Sequence, residues 1–218
     1  DLRLPESQRT LLQKLSALGK PLVIVLAAGS SVNVEVECNA LLDMWYPGQL
    51  GGRALAQLLF GDVSPSGKLP VTFYRSAGLL PDIRDYSMKN RTYRYCTPEN
   101  VLYPFGYGLS YAKFTLSQPE FTGNSASVTI TNESGFYAED VLQLYVRGYS
   151  EYDVPNGSLC GFERVGLAPG ESRRVTLEVP AEALETVQPD GSRKRCGTHF
   201  TLTVKDGTGT DVSGEIIL

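Results

Sequence analysis

The hydrophobic pattern of the chain changes near Lys113, and this change limits the possible folds more than any other feature. Before this point, apolar residues recur at helical spacing or form continuous runs. After it, they alternate with polar residues in short runs broken by Gly, Asn, Pro and Asp. Helical spacing combined with buried strands predicts an α/β arrangement, whereas alternation predicts strands with one buried face. The sequence therefore predicts an α/β sandwich-type domain over residues 1–112 and an all-β domain over residues 113–218.

Two helices are predicted in the first part. Pro5 suits the first turn of a helix, and Gly19 with Pro21 ends that helix. A second helix is predicted over residues 49–61, with Gly61 at its carboxyl end. The residues expected to face inward are Leu11, Leu12, Leu15 and Leu18 in the first helix, and Ala54, Leu55, Leu58 and Leu59 in the second.

Three strands accompany these helices. Residues 21–28, PLVIVLAA, form a continuous apolar run, which is typical of a strand covered on both faces. Residues 40–48 predict a second buried strand ending in a Pro-Gly turn, and residues 66–76 predict a third. Strand, helix and strand in this order imply a mostly parallel sheet with right-handed crossovers. Because three strands make a small sheet, part of this domain is expected to lie upstream of Asp1.

The second part has the length and pattern of a β-sandwich. About one hundred residues with roughly seven short strands is the size of an immunoglobulin-like or fibronectin type III-like domain. The single tryptophan, Trp45, lies in the first part, so the Cys…Trp…Cys pattern of immunoglobulin domains is missing. This favours the fibronectin type III-like variant. The clearest alternating runs cover residues 127–135, 140–148, 173–180, 199–207 and 212–218.

Composition and charge argue against several kinds of partner. The 218 residues carry a formal net charge of −4, and the isoelectric point is near 5.1. This balance gives no electrostatic reason to expect nucleic acid or an anionic membrane as a partner. No apolar run approaches the roughly 18 residues of a membrane-spanning helix. The chain begins at Asp1 without an initiator Met, so we expect a fragment, a processed chain or a trimmed product.

Cysteine and histidine are too dispersed for a metal centre. The four cysteines include no CxxC pair, and His199 is the only histidine. Zinc sites need such ligands in clusters, so neither a metal nor a cofactor is expected. Two disulfides are an alternative, but free thiols in a reducing compartment are favoured, and with them a cytoplasmic rather than a secreted location. The cysteines are Cys38, Cys96, Cys160 and Cys196.

Other catalytic motifs are missing or have a structural explanation. The first predicted strand is followed by AAGSSVNV rather than GxGxxG, and no GxSxG occurs. The PGQLGG stretch could hold an anion on backbone N–H groups, although turn formation and close packing are the favoured reasons for its glycines. Two carboxylates suffice for glycoside hydrolysis, and spacing offers Glu35 with Glu37 and Asp82 with Asp85. For both pairs, a solvated surface is the simpler interpretation.

The segment LYPFGYGLSY, residues 102–111, holds four aromatic residues, two glycines and one proline. Its glycines permit a tight turn, and its aromatic rings can bury a large area. A phosphate-binding loop would need a helix directly after the glycines, but SYAKFTLSQ predicts a strand. We expect a packed joint between the two parts of the chain, with an aromatic platform for sugar as the alternative.

Four stretches resemble, in this order, the C-terminal half of a glycoside hydrolase family 3 enzyme. The similarity covers nearly the whole chain, and GDVSPSGKLP followed by FGYGLSY is its most distinctive part. The DYS…RTYRY segment resembles the β-xylosidase branch more than the simplest β-glucosidases. The stretches are WYPGQLGGRALAQLLFGDVSPSGKLPVTFY, DYSMKNRTYRY, LYPFGYGLSYAKF and EDVLQLYVRG…LCGFERVGLAPGE.

This resemblance implies a retaining exo-glycosidase that acts on terminal, non-reducing β-linked sugars. Family members usually carry an N-terminal (β/α)8 barrel, an α/β sandwich domain and often a fibronectin type III-like domain. Their nucleophile is an aspartate on the barrel, which needs about 250 residues and has no place in this chain. Their acid/base residue is in many members a glutamate shortly before an LxLPxxQ segment. Residues 2–8 match that segment, so this glutamate would lie upstream of Asp1.

Glu6 is the one carboxylate of this chain that lies within the matching segment. It stands where the family commonly has glycine. A carboxylate in a first helical turn is favoured by the helix dipole without any catalytic role. We therefore expect no catalytic residue in this chain.

No substrate-binding residue is assigned from the sequence. On an extended segment, Arg91, Tyr93 and Tyr95 would share one side, with Thr92 and Arg94 on the other. They could reach a barrel or a sugar, but strand packing explains them equally well. Triplets of the N-x-S/T type, which matter only in a glycosylating host, begin at Asn90, Asn132 and Asn156.

The sequence thus predicts the C-terminal, non-catalytic portion of a β-glycosidase, β-xylosidase-like rather than β-glucosidase-like. The α/β part would complete an active site against the barrel, the sandwich would brace it, and the complete enzyme would bind oligosaccharide. The chain alone is expected to be inactive unless it pairs with a barrel-bearing chain. A stand-alone carbohydrate-binding or adhesive module is the alternative, and it predicts an exposed aromatic patch on the sandwich. A purely structural cap predicts exposed apolar surface on the α/β part.

Overall fold

The computed structural model describes residues 1–195 and 197–218, and Cys196 lies outside the described residues. It consists of an α/β part followed by two packed antiparallel sheets. Over these residues, every helix is too short or too polar to span a membrane. The expected order of an α/β part and a β-sandwich is confirmed.

The α/β part begins largely as predicted. Helix α1, Glu6–Ser16, starts directly after Pro5, whose restricted φ suits the entry to a helix. Strand β1, Val23–Leu26, pairs in parallel with strand β2, Ala40–Asp43. Helix α2, Gly51–Leu59, follows. Both predicted helices and the first two predicted strands are therefore confirmed.

The prediction of a third parallel strand is wrong, and a mostly parallel sheet is not supported. Only strand β3, Phe73–Tyr74, forms in that stretch, and it pairs antiparallel with strand β4, Val101–Tyr103. Upstream of β3, the N–H of Leu69 donates to the Tyr107 carbonyl at 2.8 Å. The Leu69 carbonyl accepts from the Gly106 N–H, also at 2.8 Å. These backbone groups therefore bond to the segment 102–111 rather than to a neighbouring parallel strand. In the part of the chain that the structure describes, β1 and β2 are the only parallel pair of strands.

Strand β1 is covered on one face only, so the expectation of burial on both faces is wrong. Ile24 and Leu26 are 7% and 8% exposed, whereas Val23 and Val25 are 48% and 36% exposed. The predicted inward faces of the helices are also only partly covered, and α1 has no buried residue. The α/β part thus carries exposed apolar surface, as the structural-cap hypothesis predicts. The helix residues expected to face inward but found exposed are Leu11, Leu15, Leu18, Ala54 and Leu59.

The second part is a sandwich of two antiparallel sheets. Its main strands are β5 Phe114–Leu116, β6 Glu120–Thr122, β7 Ser125–Asn132, β8 Ala138–Gly148, β9 Ser158–Leu167 and β10 Ser172–Glu178. They are followed by β11 Thr186–Val187, β12 Arg193–Lys194, β13 His199–Lys205 and β14 Asp211–Ile217. One sheet has the order β10-β7-β5, with β6 also on β7, and the other has the order β14-β13-β8-β9. Strands β11 and β12 form a separate short pair.

The core lies between these two sheets. Ile130 of β7, Leu142 and Leu144 of β8, and Leu202 of β13 are completely buried. Burying each such side chain contributes about 1.5–3 kcal/mol. Strand β9 was not among the clearest alternating runs, because its middle residues are largely exposed and mainly its end enters the core. The short helices of the chain are α3 Thr92–Tyr95 and the 3-10 turns Ala77–Leu79, Pro98–Asn100 and Ala181–Leu184.

The segment 102–111 is a packed joint between the two parts, as predicted. Gln143 of β8 donates from Nε2 to the Gly106 carbonyl at 2.9 Å. The N–H of Gly108 donates to the carbonyl of Gly207 at 3.1 Å. The turn of this segment is therefore bonded directly to strand β8 and to the loop between β13 and β14.

Aromatic rings close the joint. Phe105 stacks on Tyr93 with ring centroids 4.2 Å apart, and both rings meet Tyr145 of β8 at nearly right angles. Stacked and edge-to-face pairs of this kind stabilise a contact beyond the area they bury. Because Phe105 packs on protein rings, the alternative of a sugar platform at this position is not supported.

A buried ion pair crosses the joint as well. Lys68 Nζ lies 2.7 Å from Asp140 Oδ1 and donates to the Gly108 carbonyl at 3.0 Å. The two side chains are 7% and 0% exposed. Burial raises the pKa of Asp140 above its usual range, while the Lys68 ammonium acts in the opposite direction. The ion pair therefore fixes the stretch before β3 against the start of strand β8.

Candidate functional site at the carboxyl edge of the parallel strands

The carboxyl ends of β1 and β2 form the candidate site. The two strands end at Leu26 and Asp43, and their parallel pairing places both ends at one edge of the sheet. In open α/β sheets, ligands bind just outside the carboxyl ends of the strands. The loops that leave this edge cover residues 27–35 and 44–50.

The first residues of the chain lie at the same edge. The Asn33 N–H donates to the Leu2 carbonyl at 2.7 Å, and Arg3 forms a parallel bridge with Asn33. Asn33 is 6% exposed, and its Nδ2 donates to the carbonyls of Tyr74 and Arg75 at 2.8 and 3.2 Å. Its Oδ1 is buried without a hydrogen-bond partner among the described residues. A donor from elsewhere would remove the cost of this unsatisfied oxygen.

A polar cavity of about 460 Å³ opens beside Asn33. Two guanidinium groups and two carboxylates contribute to its wall, and Arg3 donates from Nε and Nη2 to the Asp1 carboxylate at 3.0 and 2.9 Å. Charged and amide groups of this kind can hydrogen-bond a hydroxyl-rich ligand. The lining residues are Asp1, Leu2, Arg3, Asn33, Glu35, Arg75, Ser76 and Ala77.

The loop after β2 is strained and presents an aromatic ring. Trp45 has φ of +51°, a left-handed conformation that is unusual for a bulky residue. Its backbone N–H donates to Asp43 Oδ1 at 3.0 Å. Its ring meets the ring of Phe73 edge-on, with centroids 6.3 Å apart. The next residue, Tyr46, is 79% exposed. Its ring lies so close to Gly29 that a Cβ there would be 2.5 Å from Cε2.

The carboxylates offered by spacing are all exposed, as the interpretation of a solvated surface expects. Glu35 lies 3.8 Å from Arg9 Nη1 and is exposed, as is Glu37. Both follow β1 in an irregular stretch, so the extended conformation that would place them on one face does not form as a strand. Glu6 is exposed in the first turn of α1, where a carboxylate is favoured by the helix dipole.

Asp82 and Asp85 stabilise turns in one surface loop. The Asp82 carboxylate accepts from the Arg84 N–H at 2.9 Å, and the Asp85 carboxylate accepts from the Ser87 N–H at 2.9 Å. The hydrogen bond from Ser87 lowers the pKa of Asp85. Arg91 closes the loop by donating to the Asp82 and Asp85 carbonyls at 2.7 and 2.9 Å. These groups hold the loop together, and their bonds explain them without catalysis.

The NRTYRY segment is a helical turn rather than an extended segment, so the expected alternation of its side chains is wrong. It forms α3, and Thr92 at its start has φ of +56°. The Tyr93 hydroxyl accepts from the Leu159 N–H at 3.1 Å. Tyr93 is therefore part of the contact with the sandwich, and Arg91 belongs to the loop before it.

The N-x-S/T triplets occupy different surroundings. Asn132 is completely buried, and its Nδ2 donates to the carbonyls of Phe136 and Leu167 at 2.8 and 3.1 Å. Asn156 donates to the carbonyls of Tyr93 and Cys96, which places its amide in the joint region. A glycan could not be attached to Asn132 in the folded chain.

The cysteines and the histidine show no metal site in the described part of the chain. Cys38, Cys96 and Cys160 are free thiols, and the prediction for Cys196 falls outside the described residues. His199 is the first residue of β13, in a strand as expected. Within residues 1–195 and 197–218, no group of three His, Cys, Asp or Glu residues lies close enough to hold a metal ion.

Sequence reasoning missed Asn33 and the pair Trp45–Tyr46. The available signal was a buried strand ending directly in WYPG, which predicts a sharp turn at the edge where ligands bind. That Asn33 meets Leu2 depends on tertiary structure, because the contact joins the segment before α1 to the loop after β1.

Comparison with known proteins identifies the protein family to which the chain belongs. The Glycosyl hydrolase family 3 C-terminal domain matches residues 1–111, and the Fibronectin type III-like domain matches residues 140–207. The first match covers more than half of the chain. The chain belongs to glycosyl hydrolase family 3 and corresponds to its C-terminal part.

Several relatives resemble the chain over most of its length. A xylan 1,4-beta-xylosidase from Xylanibacter ruminicola is 40% identical over 84% of this chain and 22% of its own length. A periplasmic beta-glucosidase from Salmonella typhimurium is 38% identical over 85% of this chain and 27% of its own length. The crystal structure of DesR, a beta-glucosidase from Streptomyces venezuelae in complex with D-glucose, matches all of this chain with a TM-score of 0.88 at 30% identity. This chain covers 31% of DesR, so it spans about a fifth to a third of the length of these relatives.

Proposed function

We propose that the chain is the non-catalytic C-terminal portion of a retaining, exo-acting β-glycosidase that hydrolyses terminal β-linked xylose or glucose. The observation that carries this proposal is the geometry at the carboxyl edge of β1 and β2, where residues 1–3 meet Asn33 beside a polar cavity. Family resemblance implies an acid/base glutamate shortly before these residues. A loop that precedes Leu2 would enter the active site from this edge.

The proposed partner is the N-terminal (β/α)8 barrel of the same enzyme, on the same or a separate chain. The relatives extend well beyond the part that this chain matches. Exposed apolar side chains on the α/β part, such as Leu11 and Val23, support a covering partner there. A retaining mechanism needs two carboxyl groups about 5–5.5 Å apart, one as nucleophile and one as acid/base. We place the nucleophile on the barrel and the acid/base residue before Asp1. We place the boundary between the α/β domain and the fibronectin type III-like domain of this chain between residues 112 and 113.

The reaction needs no cofactor, since both steps are proton transfer and nucleophilic attack by carboxylates. In this arrangement the α/β part holds the acid/base loop at a fixed place, and the sandwich holds the α/β part through the joint. The substrate class extends to both sugars, because a β-xylosidase and a β-glucosidase are similarly related to the chain.

The test is hydrolysis of 4-nitrophenyl β-xyloside and 4-nitrophenyl β-glucoside by the chain, by the upstream portion and by their mixture. Circular dichroism first confirms that each portion is folded. We expect turnover only in the mixture or in the continuous protein. Turnover by this chain alone, lost when its own carboxylates are replaced, would show that the catalytic pair was misplaced.

A carbohydrate-binding module is the second candidate, favoured by exposed aromatic residues on the sandwich. Tyr149 and Phe162 are 58% and 69% exposed. This function predicts that the isolated chain binds xylo- or gluco-oligosaccharides in calorimetry and that Phe162→Ala weakens the binding. Absence of binding at millimolar sugar would remove this candidate.

A further inference from the structure

Tyr46 carries an exposed ring that lies beside a glycine of the neighbouring loop. Its side chain is 79% exposed, yet its ring lies against the backbone of Gly29 in the neighbouring loop. A Cβ at Gly29 would come within 2.5–2.9 Å of two ring carbons, Cε2 and Cζ, and of the hydroxyl oxygen, so only glycine leaves room for the ring in this position. Contact with Gly29 therefore limits where the exposed ring can lie.

The backbone that carries Tyr46 is also fixed. Trp45 is held in a left-handed conformation by the hydrogen bond to Asp43 and by the ring contact with Phe73. Strained residues persist only where the surrounding structure determines them, and they cluster at functional sites. This arrangement fixes the direction in which Tyr46 leaves the strand.

Polar groups lie on the neighbouring loop of the same edge. Asn33 follows Gly29 by four residues and borders the cavity that Arg75 and Glu35 also line. Binding sites for small polar ligands combine an apolar surface with a few placed polar groups. A saccharide has this chemistry, because the C–H face of a pyranose ring is apolar and its rim of hydroxyl groups is polar.

We propose that Tyr46 stacks against a pyranose ring of the substrate and is a positioning residue of the cleft. This proposal rests on the function proposed above and names a binding residue that this chain contributes to it. Gly29 acts through Tyr46 by leaving room for its ring. Neither residue takes part in proton transfer or bond cleavage.

The experiment uses the continuous protein, with the upstream portion present. We expect Tyr46→Phe to keep KM and Tyr46→Ala to raise KM for 4-nitrophenyl β-xyloside or β-glucoside roughly five- to tenfold, as expected for loss of one ring contact. Gly29→Ala should raise KM by displacing the ring. In the Tyr46→Ala background, the same Gly29→Ala change should have little further effect, because the two residues are coupled.

Phe60 provides the matched control. It is 85% exposed and directly follows α2, outside the two loops that leave the carboxyl edge of β1 and β2. Phe60→Ala should leave KM unchanged. Equal effects of Phe60→Ala and Tyr46→Ala on KM, or independent effects of Gly29→Ala and Tyr46→Ala, would overturn the proposal.

Calorimetric binding of xylobiose and cellobiose to the same proteins separates this proposal from the proposed function. Binding that is weakened in Tyr46→Ala supports stacking even if the wild-type protein hydrolyses neither aryl glycoside, in which case only the proposed reaction fails. If Tyr46→Ala lowers the melting temperature but leaves both KM and saccharide affinity unchanged, Tyr46 is a contact with the barrel and the proposal is wrong. Wild-type protein that binds neither disaccharide and hydrolyses neither glycoside also overturns it.

Discussion

Lys68 and Asp140 form a buried ion pair, with Nζ and Oδ1 2.7 Å apart, between the α/β part and the sandwich. The side chain of Asp140 is completely buried, and its second oxygen has no hydrogen-bond partner among the residues described. Breaking a buried pair leaves one uncompensated charge in a medium of low polarity. The joint therefore depends on both members of the pair.

We expect Lys68→Met to destabilise the chain by about 3–5 kcal/mol, because Asp140 would stay buried without its counter-ion. The double variant Lys68→Met/Asp140→Leu should recover most of this loss, since no charge is then left. Urea unfolding followed by circular dichroism measures both. The control is Lys113→Ala, which removes the exposed pair with Glu133 and should cost at most about 1 kcal/mol. A loss no larger than that of the control would show that the buried pair does not stabilise the joint.

Gly106 should not tolerate a side chain. Its φ is +80°, and an added Cβ would overlap with the side chains of Gln143 and Tyr145. Gly106→Ala should therefore cost more than strain alone, about 3 kcal/mol or above. Gly61→Ala is the matched control, because φ is +78° there and the space around the added Cβ is open. We expect about 1–2 kcal/mol for Gly61→Ala from urea unfolding. Similar losses at the two positions would contradict the packed joint.

The thiol of Cys160 should make stability depend on alkaline pH. Burial raises the pKa of this thiol to about 12, and Sγ donates to the Leu144 carbonyl at 3.3 Å. In the unfolded chain a thiol titrates near pH 8.5. Between these values the folded state binds more protons than the unfolded state, so the stability that the neutral thiol contributes falls as pH rises. Below about pH 8.5 both states are protonated, and this contribution is fully present.

The measurement is the free energy of unfolding at several pH values from 7.5 to about 10, in the presence of a reductant. The decline should be steeper for the wild-type chain than for Cys160→Ala, which lacks the titrating group. Cys38→Ala serves as the control for removal of a thiol outside the sandwich, whereas Cys160 packs against the sandwich core. If the wild type and Cys160→Ala show parallel pH profiles, the buried neutral thiol is not the cause.

Asn132 should require an amide rather than a carboxylate. Its Nδ2 donates to backbone carbonyls, whereas an aspartate at this place would direct a second set of acceptors at the same oxygens. Asn132→Asp should therefore destabilise the chain by about 3 kcal/mol or more at neutral pH. Asn90→Asp is the control, because Asn90 is half-buried and has φ of +59°, a conformation that aspartate also adopts. Thermal unfolding of the two variants gives the comparison, and equal melting temperatures would contradict the role of the amide.

The local sequence pattern predicted the type of each helix and strand better than it predicted how these elements pair or what covers them. The helical spacing near Pro5 and the alternation in β7, β8 and β13 gave elements of the right type, because both patterns are local. The third parallel strand was wrong because Leu69 bonds to Gly106 and Tyr107, which are distant in sequence. The apolar pattern of β1 shows which side chains need cover, but it does not show which part of the molecule supplies that cover.

The candidate site was less predictable than the fold. Asn33, Arg3 and Arg75 come together only after three segments meet at one edge of the sheet. The ring position of Tyr46 depends on Gly29, in a loop that follows a different strand. By contrast, the packed joint at residues 102–111 was predictable, since its glycines and aromatic residues are contiguous.

The sequence positions of Lys68 and Asp140 also determine the order in which the two charges of the buried ion pair are synthesised. Asp140 follows Lys68 by 72 positions in the chain. At a synthesis rate of about 5–20 residues per second, Lys68 leaves the ribosome roughly 4–14 s before its counter-ion. During that interval its ammonium group lacks its counter-ion, and the stretch before β3 can bond only to the segment 102–111. The ion pair can therefore fix the stretch before β3 only after the start of the sandwich, which is synthesised later, has folded.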